Sequence, residues 1–405
     1  MRNLNWEFKL LKMKGIQRDI TPHLLTAAKN FPATVVTGPR RSGKTYILRH
    51  LFPKAEYYLF EDPDIISRFR EDPQGFLDGV KPPVILDEIQ NLPEVFNYVR
   101  SRIDAQPRKM GQWFLTGSQE AGLMRNVTES MAGRAAVLQL LPLSLKETTK
   151  VSLLNGGYPE VLARPKASKL WFSSYLQTYL ERDVRSVSAV HDLGAFRRFM
   201  SLLATRHGQI LNKTDLAGPL GMSVPGIGKW LDILETTAQI FVIPPFFENL
   251  GKRIIRAPRI YIADPGLACH LLGIDTETEL EKSPFLGAIF EGFIAAEIIK
   301  SQVNAGMRRE LYYFRDQQGL EVDFVVPGKS GSMTLVEAKS SRTAKPDMTL
   351  PMRRLATAWK SHFGDKRQVR SLLVHRPARA AVASKAIAEG VEACSWKELV
   401  NHLKA

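Results

Sequence analysis

Thr34-Val-Val-Thr-Gly-Pro-Arg-Arg-Ser-Gly-Lys-Thr45 is a short β-branched run that ends in Gly-x-x-x-x-Gly-Lys-Thr and continues into Tyr46-Ile-Leu-Arg-His-Leu51. The pattern predicts a strand, a glycine-containing loop and a helix. Gly38 and Gly43 let the backbone wrap, so that the loop Pro39-Arg-Arg-Ser42 can turn the N–H groups of Arg40, Arg41 and Ser42 inward toward an anion. The helix starting near Lys44 adds the positive end of its dipole. Lys44 then reaches the β- and γ-phosphates, and the Thr45 hydroxyl becomes a Mg²⁺ ligand. The expected ligand is a nucleoside triphosphate with Mg²⁺.

Working outward, Pro83-Val-Ile-Leu-Asp-Glu-Ile-Gln90 reads as a buried strand closed by two carboxylates. An apolar run of this kind suits a parallel strand covered on both faces. Ligands of open α/β sheets bind at carboxyl strand ends, where Asp87 would hold the Mg²⁺ shell. Glu88 would orient or deprotonate the attacking water. A third apolar strand, Gln112-Trp-Phe-Leu-Thr-Gly-Ser-Gln119, ends in Ser118 and Gln119. One of these either reaches the γ-phosphate side or simply caps the next element. Arg134, in Met131-Ala-Gly-Arg134 before another apolar run, either stabilises phosphate charge, in cis or in trans, or bridges surface carboxylates.

The ordered set Gly38–Thr45, Ile85–Gln90, Leu115–Gln119, Met131–Arg134 and Leu141–Glu147 resembles AAA-type ATPases of bacteria and archaea that carry a C-terminal domain of unknown function. Asn155–Glu160, Tyr179–Val184, Lys252-Arg253 and Tyr261–Ala268 extend the likeness over nearly the whole chain from about residue 13. The resemblance implies ATP binding and an AAA-like core. It also implies the sensor-1 role for Ser118 or Gln119.

At 405 residues the chain calls for two or three domains. Its 44% hydrophobic and 24% charged residues describe an ordinary globular protein, and no apolar run reaches a membrane span. Cys269 and Cys394 give neither a disulfide framework nor metal-ligand spacing. With a charged N-terminus, this leads to the expectation of a cytoplasmic protein without a membrane partner, in which residues 1–12 are an extension. The formal net charge is +15. The excess is densest in a tract holding Arg342, Lys345, Arg353, Arg354, Lys360, Lys366, Arg367, Arg370, Arg376 and Arg379, opposed there by Asp347 and Asp365. Such an excess points to DNA or RNA as a partner through phosphate contacts, or else to solvated helix surface. A homo-oligomer is a further expectation.

Three units are expected: an α/β P-loop domain over 13–145, a helical and winged-helix unit over 146–280, and a nuclease-like α/β unit over 281–405. In the middle, Asn212–Gly221 and Val224–Glu235 read as helix-turn-helix, with strands near 239–244 and 259–263. Lys229 is nearly alone as a polar group near the second helix's start, so a packing module or a phosphate-gripping wing fits better than base reading.

Farther on, an amphipathic helix is expected over Phe290–Lys300, then strands at Leu311–Arg315, Leu320–Val326 and Met333–Lys339. The spacing of Asp323, Glu337 and Lys339, with Glu291 upstream, resembles PD-(D/E)xK nucleases of the restriction-endonuclease-like fold. In a strand, Glu337 and Lys339 share a face. Asp323 and Glu337 would then hold a second Mg²⁺, Lys339 would activate the hydroxide, and Glu291 would complete the metal shell. A degenerate nuclease fold kept for binding, or an inert unit in an ATP-driven protein–protein switch, stays open beside that reading.

Overall fold

Ala33–Thr37 forms β1, and all five of its residues are buried. The run lacks polar alternation because both faces of the strand are covered. The structure, a computed structural model, describes residues 15–118, 129–180, 193–246, 256–363, 368–377 and 385–402. Residues 1–12, Gln119, Glu181–Asp183, Val184, Lys252, Arg253, Lys366, Arg367 and Arg379, which carried some of the expectations above, lie outside the described residues.

The first sheet adds β2 (Glu56–Leu59), β3 (Val84–Asp87), β4 (Trp113–Thr116) and β5 (Ala135–Gln139), in the order β2-β3-β4-β1-β5. All its pairings are parallel. Every carboxyl end therefore faces one rim, and that rim carries the phosphate loop after β1 and Asp87 at the end of β3.

The middle of the chain packs the helices Ser168–Tyr175, Leu193–Thr205, Lys213–Leu220 and Val224–Thr236 with a two-stranded antiparallel sheet, β6 (Ile240–Ile243) and β7 (Arg259–Ile262). The helix Val224–Thr236 begins where its sequence signals put it. Ser223 caps it through the Gly226 amide, and Pro225 sits in its first turn. Lys229 is exposed, while Ile227, Trp230, Leu231 and Leu234 face the core.

The third part is a six-stranded mixed sheet of β8 (Tyr312–Arg315), β9 (Glu321–Pro327), β10 (Met333–Lys339), β11 (Val369–His375), β12 (Lys385–Ala388) and β13 (Val391–Ser395). Its order is β12-β13-β11-β10-β9-β8, with β10 antiparallel to β9 and parallel to β11. The helix Leu286–Asn304 runs against this sheet. It was expected to be amphipathic, but it is buried nearly all round. Glu297 and Lys300 do not make a polar face. They pair with each other at 2.9 Å, and they bond the Leu145 amide and the Leu143 carbonyl. The largest apolar core joins Leu141 and Leu143 behind the first sheet to Tyr261, Phe293, Tyr313 and Leu372. The boundary expected near residue 280 therefore runs through a continuous core. Among the described residues no helix is long and apolar enough to cross a membrane.

Candidate nucleotide site and a second carboxylate cluster

Glycine is required at the start of the phosphate loop. Gly38 has φ 142°, and a Cβ there would lie 2.1 Å from the Leu140 carbonyl oxygen. Gly43, at φ 97°, turns the chain into the helix Lys44–Leu51. Arg41 also takes a positive φ, 63°, which costs a side-chain-bearing residue roughly 1 kcal/mol. The Lys44 ammonium is buried and donates to the Gly38 and Pro39 carbonyls, 3.1 Å each, so it lies over the loop.

Asp87 is 2% exposed and is the hub of the site. Its Oδ2 accepts from Thr45 Oγ1 and from the Tyr57 hydroxyl, both at 2.7 Å, and its Oδ1 accepts from Thr116 Oγ1. Burial, and then the Asp87 charge, drive the Tyr57 phenol well above its ordinary pKa, so it stays a donor. A hydroxyl and a carboxylate in contact form a hard oxygen pair of the kind Mg²⁺ accepts beside phosphate oxygens. The residues present therefore fit the metal.

Glu88, at φ 54° and ψ 45°, is turned off the strand direction. Its carboxylate accepts from Gln90 Nε2 and lies 3.9 Å from Arg40, which also pairs with Glu61 at 3.3 Å. Ser118 is buried just past β4. It is Thr116, two residues earlier, that joins β4 to the acidic strand end, since it bonds Asp87 and also receives the Glu88 amide at 3.4 Å. Ser42 is buried, and its carbonyl accepts from Arg18 at 3.0 Å. Arg18 also bonds the Leu141 carbonyl and Glu147, tying the segment before the first helix to the loop.

Arg134 is not brought to the phosphate loop. It precedes β5, whose Ala135 pairs with Ala33 at the amino end of β1, so it occupies the opposite rim of the sheet. Its guanidinium grips Asp104 with two bonds, 2.6 and 3.1 Å. The surface-bridge alternative describes its position within one chain.

Two other sequence signals meet each other. Asp264 accepts from the Gly157 amide at 2.8 Å and caps the helix Pro265–Leu271 through the Leu267 amide. A Cβ on Gly156 would lie 1.9 Å from Asp264, and one on Gly266 would lie 2.6 Å from the Asn155 backbone. Glu160, three residues past Gly157, pairs with Arg41 of the phosphate loop at 3.5 Å. A cleft beside this pair is lined by Arg41, Glu160, Arg164, Trp171 and Tyr175.

Glu291, Asp323, Glu337 and Lys339 do come together. Lys339 lies 2.6 Å from Glu337 and 3.7 Å from Asp323, and Asp323 Oδ2 accepts the Ala338 amide at 2.9 Å. Burial, and then the Asp323 charge, push Glu337 up to about 8 and Glu291 up to about 7. Burial works against the Lys339 ammonium, but Asp323 and Glu337 outweigh it and raise its pKa. Glu291, expected to complete a metal shell with Asp323 and Glu337, faces donors of its own chain. Glu291 accepts from Arg259 at 2.8 Å and from the Tyr261 hydroxyl at 2.5 Å. Among the described residues, no three His, Cys, Asp or Glu side chains are grouped to hold a metal ion.

A parallel sheet of this order, with a glycine-lysine loop on an interior strand and an acidic strand end beyond the intervening β4, defines a P-loop nucleotide-binding domain. Residues 30–149 match the family described as AAA domain, so the first unit is an AAA-type, ATP-binding fold. Residues 146–278 and 286–380 match two domains of unknown function, DUF8612 and DUF4143. The chain belongs to the same family as the uncharacterized protein Rv2008c of Mycobacterium tuberculosis. The two are 32% identical over 344 residues, 83% of this chain and 76% of that one. The uncharacterized protein MJ1544 of Methanocaldococcus jannaschii is 23% identical over 374 residues, 82% and 80% of the two chains. Among solved structures, the Walker-type ATPase PABY2304 of Pyrococcus abyssi aligns with a TM-score of 0.44 at 16% identity, over 62% of this chain and 94% of that one.

Proposed function

We propose that the chain is a Mg²⁺-dependent ATPase whose nucleotide state governs a C-terminal unit that faces nucleic acid. The observation that carries the ATPase reading is the 2.7 Å contact between Thr45 and Asp87, with Lys44 buried over the same loop. Mg²⁺ held by Thr45 and Asp87 would neutralise phosphate charge there. Lys44 exchanges its two carbonyl partners for phosphate oxygens. Thr116 and Tyr57 keep Asp87 oriented, and Glu88 leaves Gln90 and Arg40 to position the attacking water. In this reading Lys44→Ala abolishes ATP turnover. Glu88→Gln retains nucleotide binding but slows turnover by about 10²–10⁴-fold, the usual contribution of a general base. Turnover and binding of the two variants, measured side by side, test it. Unchanged turnover in Glu88→Gln would remove Glu88 from that role.

The nucleic-acid part rests on the basic face of the helix Leu350–Phe363, where Arg353, Arg354 and Lys360 are exposed opposite buried Met352, Leu355 and Trp359. Salt-sensitive DNA binding by the wild type, lost when Arg353 and Arg354 are both neutralised, is the expected result. The second reading is an ATP-driven switch with an inert C-terminal unit. It is favoured by the way the basic tract is already matched, since Arg342 and Arg376 pair with Glu281, and Arg370 pairs with Glu392. Binding that does not fall with added salt, or is unaffected by the double substitution, supports the switch.

A further inference from the structure

Arg259 belongs to β7, not to the six-stranded sheet, yet its guanidinium is buried among that sheet's carboxylates. Nη1 lies 2.8 Å from Glu291 and 3.8 Å from Asp323, and Nη2 pairs with Glu321. These partners come from the helix Leu286–Asn304 and from β9. The guanidinium carbon also sits 4.9 Å from the centre of the Tyr313 ring on β8. Nε is buried with no hydrogen-bond partner among the described residues. A bidentate arginine–carboxylate pair engages two of the five guanidinium donors. This one leaves a buried donor unmet while its tip reaches into the carboxylates.

Around that tip stand Glu291, Glu321 and Asp323, and Glu337 lies behind Asp323, whose amide faces Glu337 Oε2 at 3.5 Å. The cations facing them are Arg259 and Lys339, with Arg315 at the rim, 3.3 Å from Glu321. Glu291, Asp323 and Glu337 are largely buried and need positive charge, and here Arg259 brings part of it from a neighbouring unit. A divalent cation needs carboxylate oxygens at about 2.0–2.6 Å, and a guanidinium already hydrogen-bonded to Glu291 and 3.8 Å from Asp323 stands in its way.

We propose that Arg259 is an internal counter-ion that keeps a divalent-cation site shut, its guanidinium filling the place among Glu291 and Asp323 that Mg²⁺ or Mn²⁺ would take. This rests on the nuclease-like reading of the C-terminal unit only for what an opened site would do, not for whether it opens. The third carboxylate of the site is Glu337, and Lys339 stays beside it in either state. The arginine reaches these oxygens from β7, the strand that leads directly into Asp264 and so to the loop that touches the phosphate loop.

The test is titration of the full chain with Mn²⁺ alone, without nucleotide, followed by calorimetry and by the Mn²⁺ electron paramagnetic resonance signal. Arg259→Met is expected to bind Mn²⁺ at least tenfold more tightly than the wild type, and the gain is expected to vanish in Arg259→Met/Asp323→Asn. Because Arg259 is buried, Arg259→Met risks unfolding. Glu321→Gln, at the half-exposed rim, frees one arm of the arginine and is expected to give a smaller gain of the same sign. Mn²⁺ affinity within twofold of the wild type in both folded variants overturns the lock. A gain that survives Asp323→Asn also overturns it. If Mn²⁺ binding is gained and plasmid DNA stays intact in the opened variant, the lock stands and the nuclease reading falls.

Discussion

Asp87 shows what a single side chain settles. One carboxylate receives three hydroxyls, from Thr45, Tyr57 and Thr116, which stand on the phosphate-loop helix, β2 and β4. Thr45 and Asp87 were legible because each sits inside a short motif whose spacing carries its chemistry. Tyr57 and Thr116 were not, because only the side-by-side order of parallel strands brings them to Asp87. Arg18 and Arg259 were hidden for the same reason: each finds its partners more than twenty residues away.

His207 adds a prediction at this scale. Its ring is buried, and Nδ1 accepts the Ile262 amide at 3.0 Å, which requires the neutral imidazole. Burial pushes its pKa down from 6.5 to about 4. Between those values the unfolded chain binds the proton and the folded chain does not, so this residue makes stability fall as pH drops through that window. From pH 7 to pH 4.5 the wild type should lose on the order of 2 kcal/mol more than His207→Gln. Urea unfolding of both proteins at both pH values measures it. Equal losses would mean that the ring is not held neutral.

At the scale of elements, β1, β3 and β4 stand out as apolar runs because parallel strands buried on both faces need no polar alternation. The edge strand β2, Glu56-Tyr-Tyr-Leu59, is only half-buried throughout and shows neither a continuous apolar run nor alternation. It escaped notice for that reason. The helix Leu286–Asn304 was legible as a helix but not as a buried one, since Glu297 and Lys300 look like a polar face until their pairing is seen. Gly292 in that helix gives an unusual sign. By propensity alone, alanine should stabilise a helix interior by about 1 kcal/mol relative to glycine. Here a Cβ would lie 2.1 Å from His207 Nε2 and 3.1 Å from the Tyr261 ring. Gly292→Ala is therefore expected to destabilise by about 1–3 kcal/mol, as overpacked cores do. A rise in melting temperature would contradict this packing.

Across the whole molecule, the two sites are joined by a short series of contacts. Arg41 of the phosphate loop pairs with Glu160, Gly157 bonds Asp264, and Asp264 follows the strand that carries Arg259. Contiguity of this kind becomes coupling only if both ends shift one equilibrium. If they do, a nonhydrolysable ATP analogue should change the Mn²⁺ affinity of the C-terminal cluster in Glu321→Gln, and Glu160→Ala should remove that change while leaving nucleotide binding in place. Equal Mn²⁺ affinity with and without the analogue would disconnect the sites.

The measurement that bears most directly on the account is calorimetric titration of the full chain with Mg²⁺ and a nonhydrolysable ATP analogue, beside Lys44→Ala. One analogue bound per chain, with the heat lost in Lys44→Ala and weakened when Mg²⁺ is withdrawn, is the predicted result. No heat with the wild type, or the same heat with Lys44→Ala, would contradict it.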